Sequence, residues 1–364
     1  MCSHSIKERV SGNIMAEGLN ERERTVLHYV VHDFIETATP IGSRYISKRH
    51  EDVLGLSSAT IRNIMSDLEY LGYIGHPHTS AGRVPTDMGY RFYLDTLMKL
   101  EDVSLQERQV IREKLDETED LEMLLRETSR LIGKISRQLC VVTSPELSSG
   151  VFERLELVPI TSSRVLIVIS IKSGLVRTIM MEVGSEVSRN KLDRLARFLN
   201  ERLGGLTMQQ IRDSFIERIK DVPDEDAGLV RLFLDSVDKL FLPSRPEKLH
   251  IAGAERIIEQ PEFTNPRDYR GVIELINNEE WIVHVLQKRE ESQTGAQVSV
   301  GSENEDEKLR SLSIITSTYA VGDVTGTVGV IGPTRMQYNK MIPLVDYVAQ
   351  TITRMLSLRK QVDG

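Results

Sequence analysis

A chain of 364 residues is long enough for two or three domains, since compact domains mostly run to roughly 100–200 residues. Its 46 Lys and Arg against 54 Asp and Glu give a formal net charge of −8, which argues against a protein that coats nucleic acid by bulk attraction. Two cysteines, Cys2 and Cys140, make neither a disulfide framework nor a zinc cluster, and no run approaches the roughly 18 apolar residues of a membrane span. The cytoplasm is the expected compartment. Met1–Gly18 is polar and lacks the apolar stretch of a signal peptide, so a disordered extension is expected there.

From Leu19 to Thr37 the sequence predicts a helix. Asn20 is its N-cap, Glu21 and Glu23 suit the positive end of its dipole, and Leu27, Val30, Val31 and Phe34 form its apolar stripe. Thr39-Pro40 ends it. A short helix follows from Ser43, as cap, to about His50, with Tyr45 and Ile46 inward. Ser57 caps a third helix, Ser58–Leu71, with Ile61, Ile64, Leu68 and Leu71 on one side and Gly72 as its stop. Tyr73–Thr86 holds two short extended pieces around a loop rich in Gly, Pro and small polar residues, the pattern of a hairpin wing. Asp87–Met98 turns helical again.

A charged connector, Lys99–Thr118, is expected to lead into a long helix ending near Cys140. Short β-branched runs then predict strands at Val151–Ile160, Arg164–Ile171 and Leu175–Val183. Helices are expected at Lys191–Arg202, Met208–Lys220, Gly228–Phe241 and near Asp268–Asn277, with a strand at Leu249–Ala252. Strands return at Trp281–Leu286, Gln297–Gly301, Leu312–Val321 and Thr325–Ile331, before a closing helix from about Tyr338 to Leu358. The class is α+β, multidomain, with a sheet domain interrupted by a helical insertion.

The third helix carries the chemistry. Its apolar face is spent on the core, while Ser58, Thr60, Arg62, Asn63, Ser66 and Asp67 show short or planar hydrogen-bonding groups. A major groove about 12 Å wide admits one helix whose N-terminal residues meet base edges. Ser58, Ala59, Thr60 and Asn63 lie on the first two turns; Asn suits adenine, and Ala or a Thr methyl suits a thymine methyl. Arg62 fits a guanine or a phosphate. Gly42, Ser43 and Arg44 offer backbone N–H groups and a cation to a phosphate. In the wing, His78, Thr79, Ser80 and Arg83 are expected to reach the adjacent backbone or minor groove, and no acid falls between Tyr70 and Thr86. Local charge is nearly neutral, six Lys or Arg against five acids from Ile41 to Arg91. The alternative is a docking module whose polar face is merely solvated.

The stretches ERERTVLHYVVHDFIETATPIGSRYIS and LSSATIRNIMSDLEYLGYIGHPHTSAGRVPTDMGYRFYLD resemble the family of heat-inducible transcription repressors, HrcA. The likeness continues more loosely through LVPITSSRVLIVISIKSGLVR, the sheet after Leu312 and GVIGPTRMQYNKMIPLVDYVA. The resemblance implies a dimeric repressor of chaperone operons that binds double-stranded DNA at an inverted-repeat operator, CIRCE, and is kept competent by the GroEL chaperonin. It also implies a winged helix-turn-helix (19–98) and a GAF-like domain in two parts (99–189 and 279–364) around an inserted dimerising domain (190–278). The chain departs from the family in its N-terminal extension and in a hydrophilic loop at Glu290–Glu307. Within the insertion, Leu195, Phe198, Leu199, Val230, Phe233 and Leu234 are the expected dimer contacts, since paired recognition helices give palindromic specificity.

Other constellations yield little. His28 and His32 stand four apart on a helix and would suit one metal in a metal-sensing regulator, yet no third ligand accompanies them. Gly326, Gly329 and Gly332 lack the Lys-Ser/Thr pair or helix-opening spacing of a phosphate loop, and fit close packing on a strand. Cys140 has no His partner in sequence. No catalytic set, metal or cofactor is expected.

Overall fold

The computed structural model describes residues 18–77, 82–118, 120–183, 187–220, 241, 249–263, 270–287 and 295–362. The expected helix Gly228–Phe241 (Phe241 apart), most of the N-terminal tail and the start of the Glu290–Glu307 loop lie outside them. By internal packing the chain divides into two units. One runs up to Val141 and takes in Ile251–Ser317 and Val328–Val348; the other comprises Val142–His250, Thr318–Thr327 and the chain from Ala349 on. Among the described residues no helix is long and apolar enough to cross a membrane.

The first unit opens with α1 (Glu21–Thr37), started by a reciprocal capping box between Asn20 and Glu23. Then come α2 (Ser43–Arg49), a single turn α3 (Glu51–Leu54) and α4 (Ser58–Tyr70). The hairpin β1 (Ile74–Gly75) and β2 (Val84–Pro85) follows, and then α5 (Asp87–Phe92). That helix widens into one π turn, Tyr93–Leu97, in which Met98 N donates to Tyr93 O, five residues back, at 2.8 Å. Gly42, not Ser43, is the N-cap of α2, and Ser43 is buried in its first turn.

Three expectations are corrected here. The charged connector contains a helix, α6 (Leu105–Asp116), started by a second capping box, Ser104 with Glu107. The long helix α7 stops at Ser136 (Leu121–Ser136), because Arg137 takes a left-handed φ of 55°; Cys140 sits instead in a fully buried strand, β3 (Leu139–Thr143). The run expected as a strand at Trp281–Leu286 is a helix.

The three-stranded antiparallel sheet of the second unit, β4 (Phe152–Thr161), β5 (Arg164–Ile171) and β6 (Val176–Glu182), matches the expected strands closely. One face holds Leu155, Leu157, Val165, Ile167 and Ile169, all buried, and β4 is covered by α8 (Arg189–Leu203). The Asn200 side chain on α8 bridges the backbone of Leu155, accepting from its N–H at 2.7 Å and donating to its carbonyl at 2.9 Å. The opposite face aligns Val158, Leu166 and Met180 in one row, and Val158, Val176 and Met180 are exposed. Helix α9 (Met208–Arg218) follows α8.

Beyond it come β7 (Leu249–Ala252), α10 (Ala254–Ile258), α11 (Arg270–Ile276), α12 (Glu279–Gln287) and β8 (Gln297–Val300). Then follow β9 (Leu312–Val321), β10 (Val324–Pro333) and α13 (Tyr338–Val362). The larger sheet has the order β7-β3-β10-β9-β8. Gly326 and Gly332 lie on β10, where the Tyr319 hydroxyl and the Gln138 side chain fill the space of a Cβ. Burial of the Cys140 thiol within this sheet pushes its pKa far above the ordinary range, so it is neither a thiolate nor a nucleophile at neutral pH.

The expected dimer contacts divide. Leu195 and Leu199 are wholly buried within their own unit, which removes them from any surface a partner can touch. Phe198 is half-buried, with the Arg202 guanidinium 5.4 Å over its ring. Val230, Phe233 and Leu234 lie outside the described residues. Replacement of Asn200 by Ala leaves two backbone groups of β4 unpaired, and should cost about 1–3 kcal/mol in urea unfolding of this unit; an unchanged midpoint would show that water replaces the bridge.

Candidate nucleic-acid interface

Helix α4 presents two unlike sides because its sequence alternates at helical spacing. Ile61, Met65 and Leu68 are buried, as are Val26, Leu27 and Val30 of α1 and Ile46 of α2; α4 packs on both helices. Ala59, Arg62, Asn63, Ser66, Asp67 and Tyr70 face solvent. The start of α4 is fixed by Ser57, whose hydroxyl accepts from Thr60 N at 3.1 Å and lies 2.9 Å from the Thr60 hydroxyl. Two further contacts stitch α2 to it. Ser43 Oγ lies 3.3 Å from Ser58 Oγ, and Ser47 Oγ donates to Leu56 O at 3.0 Å. The side chains of Arg44, Arg62 and Asn63 make no hydrogen bond or ion pair among the described residues, so they are available to a ligand.

A buried carboxylate that sequence reading missed sets α2 against α1. Asp33 on α1 is fully buried, with His50 Nε2 2.8 Å from its Oδ2 and Arg49 Nε 3.6 Å from its Oδ1. The His50 ring stacks on Tyr29 at 3.8 Å between centroids, and Arg49 also donates to Glu36 at 2.6 Å. An unpaired buried carboxylate would be costly; here both partners come from the end of α2. Residues 17 apart in sequence gave no local signal of this pairing.

The expected metal pair is arranged otherwise. The His28 and His32 rings stack at 5.8 Å, and His28 is also packed against Tyr93 at 5.6 Å. Burial lowers the His28 pKa, disfavouring its cation. Among the described residues one group brings three potential ligands within 4.8 Å: His32, Asp33 and Glu36, without His28. Its Asp33 is already held by His50 and Arg49.

The wing is built on close backbone approach. Register pairs Ile74 with Pro85 and Gly75 with Val84. Ile41, just before α2, then pairs with Arg83, each N–H donating to the other's carbonyl at 2.8 Å. A Cβ at Gly82 would stand 2.5 Å from the Ile41 carbonyl oxygen, so this step of the wing admits only glycine. The Thr86 hydroxyl donates to Gly72 O at 2.6 Å and accepts from Gly89 N at 3.2 Å, closing the hairpin and capping α5 together. Gly89 in turn leaves room for the Tyr73 carbonyl.

Arg83, expected to reach toward phosphate, is turned inward. Its NH2 lies 2.7 Å from Glu69 on α4, its NH1 lies 2.9 Å from His76 Nδ1, and 19% of its side chain is exposed. His78, Thr79 and Ser80 lie outside the described residues.

Behind the wing the chain is anchored within the same unit. Asp87 accepts from Ser302 N at 2.8 Å; Arg91 donates to Glu303 at 2.7 Å and to Val298 O at 3.0 Å. Tyr90 packs edge-on against Tyr338 at 6.1 Å, and Arg335 reaches Ile35 O at the end of α1 at 2.7 Å. The motif GRVPTDMGYR is thus a run of contact residues nearly throughout.

Replacing Gly82 by Ala should force the wing off Ile41. Amide exchange at Ile41 and Arg83 is expected to speed up by at least tenfold, corresponding to overpacking of about 1–3 kcal/mol; unaltered protection would mean the wing is held elsewhere.

Comparison with known proteins places this architecture. A family model described as HrcA protein C terminal domain matches residues 122–342. The heat-inducible transcription repressor HrcA of Chlorobium phaeobacteroides (strain BS1) is 41% identical over 355 residues, covering 94% of this chain and 100% of its own. That of Chlorobium luteolum is 40% identical over 352 residues, covering 93% and 98%. A crystal structure described as that of a hypothetical protein shares the fold, with a TM-score of 0.57 at 22% identity over 94% of this chain and 99% of its own. The chain belongs to the HrcA family of heat-inducible transcription repressors.

Proposed function

We propose that this chain represses chaperone operons as a homodimer, laying one α4 of each copy into the major groove of an inverted-repeat operator of the CIRCE type. The observation that carries the reading is the outward side of α4, where Ala59, Arg62 and Asn63 are exposed and Arg62 and Asn63 are unengaged. Ser58, Ala59, Thr60 and Asn63 are assigned to base edges, Arg62 to a guanine or a phosphate, and Arg44 with the backbone of Gly42 and Ser43 to a neighbouring phosphate. Together α1 to α5 and the hairpin make up the winged helix-turn-helix, 19–98. The remainder is assigned to a GAF-like domain, 99–189 and 279–364, interrupted by the dimerising insertion, 190–278. Operator type and control by GroEL are part of this proposal, suggested by the resemblance to HrcA; no cofactor or enzymatic step is invoked.

Dimerisation needs a surface, and burial of Leu195 and Leu199 directs attention away from α8. Among the described residues, the side of the β4–β6 sheet opposite its buried face leaves apolar groups exposed, and this supports pairing instead. Val158 is 38% exposed, Met180 50% and Val176 59%, on one face of three strands, and contiguous apolar surface of this kind marks association sites. Replacing Met180 by Glu should weaken self-association at least tenfold in sedimentation equilibrium; an unchanged dimer would assign pairing to another face.

Footprinting of the purified protein on its own chaperone promoter, with and without GroEL, tests the function. Sequence-specific protection strengthened by GroEL is expected; absence of protection in both conditions would overturn the reading. Replacement of Asn63 by Ala should relax preference at one base pair per half-site by about 1–3 kcal/mol. An equal loss on operator and random duplex would remove Asn63 from base reading.

A further inference from the structure

We infer that Arg83 is a positioning residue that sets the wing on the recognition helix through Glu69, not a ligand of the DNA backbone; the inference rests on the DNA-binding reading above. An arginine on a wing is ordinarily a free cation for phosphate. This one is spent inside the protein. Its backbone pairs with Ile41 at the entry to α2, both bonds at 2.8 Å. Its guanidinium spans from the wing to the last turn of α4, where Glu69 takes NH2 at 2.7 Å. Its Nε is buried with no acceptor among the described residues, so that nitrogen is shielded from solvent.

His76 completes the arrangement and fixes its chemistry. An arginine N–H only donates, so Nδ1 of His76, 2.9 Å from Arg83 NH1, is the acceptor. The imidazole proton then resides on Nε2, which lies 3.4 Å from the other oxygen of Glu69. Glu69, Arg83 and His76 therefore close a ring: both carboxylate oxygens, two guanidinium nitrogens and both imidazole nitrogens face a partner within it. The three residues lie on α4, on the return piece of the wing and on its outgoing piece. Through its backbone and its side chain, this one residue ties the α2 entry, the α4 exit and the hairpin together. Half-exposed ion pairs contribute little alone; this one is partly buried, flanked by the His76 contact on the other terminal nitrogen and continuous with a backbone pair, an arrangement that fixes position.

The two roles for Arg83 give opposite signs for one substitution. If Arg83 positions, Glu69→Gln releases the ring and weakens operator binding. If Arg83 binds phosphate, Glu69→Gln frees the cation, removes an anion from the DNA side and tightens binding. Binding of the full-length protein to a fluorescent operator duplex from its own chaperone promoter, and to a scrambled duplex, would be measured across a salt series. Glu69→Gln and Arg83→Gln should each weaken operator binding about tenfold, a typical loss for a charged hydrogen bond. The double variant should be no worse than the poorer single one, the slope of log K against log salt should stay at its wild-type value, and Arg83→Lys should recover part of the loss.

Tighter binding by Glu69→Gln, or a slope reduced by about 0.9 in Arg83→Gln, one phosphate contact's share, would overturn the inference while leaving the functional reading intact. Wild-type binding with no preference for the operator would instead overturn the functional reading, and the inference with it. Glu69→Gln is nearly isosteric and keeps an acceptor, so the sign test survives if the arginine variants fail to fold.

Discussion

The pair of backbone hydrogen bonds between Ile41 and Arg83 closes a loop of chain that contains every described candidate DNA contact except Arg83 itself. Helices α2 and α4 and the outgoing strand of the hairpin all lie between these two residues. Closing a loop of this length costs entropy that grows only slowly with length, and the closure is repaid by the apolar core it gathers: Ile46, Ile61, Met65 and Leu68 with Val26, Leu27 and Val30, all buried. Glycine at position 82 is what lets the two backbones approach. With the loop closed, α4 cannot turn about its own axis without exposing that core. The core therefore holds its polar side outward.

Two polar arrangements refine what the core sets roughly. Asp33 holds His50 and Arg49, fixing α2 on α1, and the Glu69–Arg83–His76 ring fixes the wing on α4. Both consist of partly or wholly buried charges with several partners, and both join elements that the apolar core alone would let slide. Outside them, Asp87, Tyr90 and Arg91 attach the end of the wing to the sheet portion of the same unit, while Arg335 attaches the end of α1. The helices and hairpin are thus braced by contacts within their own unit.

Much of this was legible from sequence where the signal is local. The Asn20 and Ser57 caps, the stop at Gly72 and the alternating strands β4 to β6 depend on neighbours within a few residues. Errors arose where local signals conflict. LCVVT follows an amphipathic helix with neither Gly nor Pro between, because Arg137 itself takes the left-handed conformation that a glycine would have announced. WIVHVL reads as a strand by its β-branched residues, yet Asn278 accepts from Trp281 N at 3.0 Å and starts a helix. The Ser104–Glu107 box was present in sequence but hidden by the surrounding charge.

Other features were not legible at all. Nothing near Arg83 says that its partner is Glu69 on another element, and only the fold brings the two together. An apolar stripe such as that of α8 says that something covers it, without saying whether the cover is the same chain; here β4 does so. The exposed row of Val158 and Met180 escaped notice for the converse reason, since alternation in a strand does not reveal which face a helix occupies.

The central claim is that α4 enters the major groove, and it can be tested by attaching a DNA-cleaving iron chelate to its exposed side. A cysteine in place of Ser66, in a chain with Cys2 replaced by Ser and with Cys140 shielded by burial, gives a single labelling site beside the proposed contacts. The account predicts cuts in the promoter at two clusters about one helical turn, or a small multiple of it, apart. An even ladder of cuts along the duplex, or none, would contradict it.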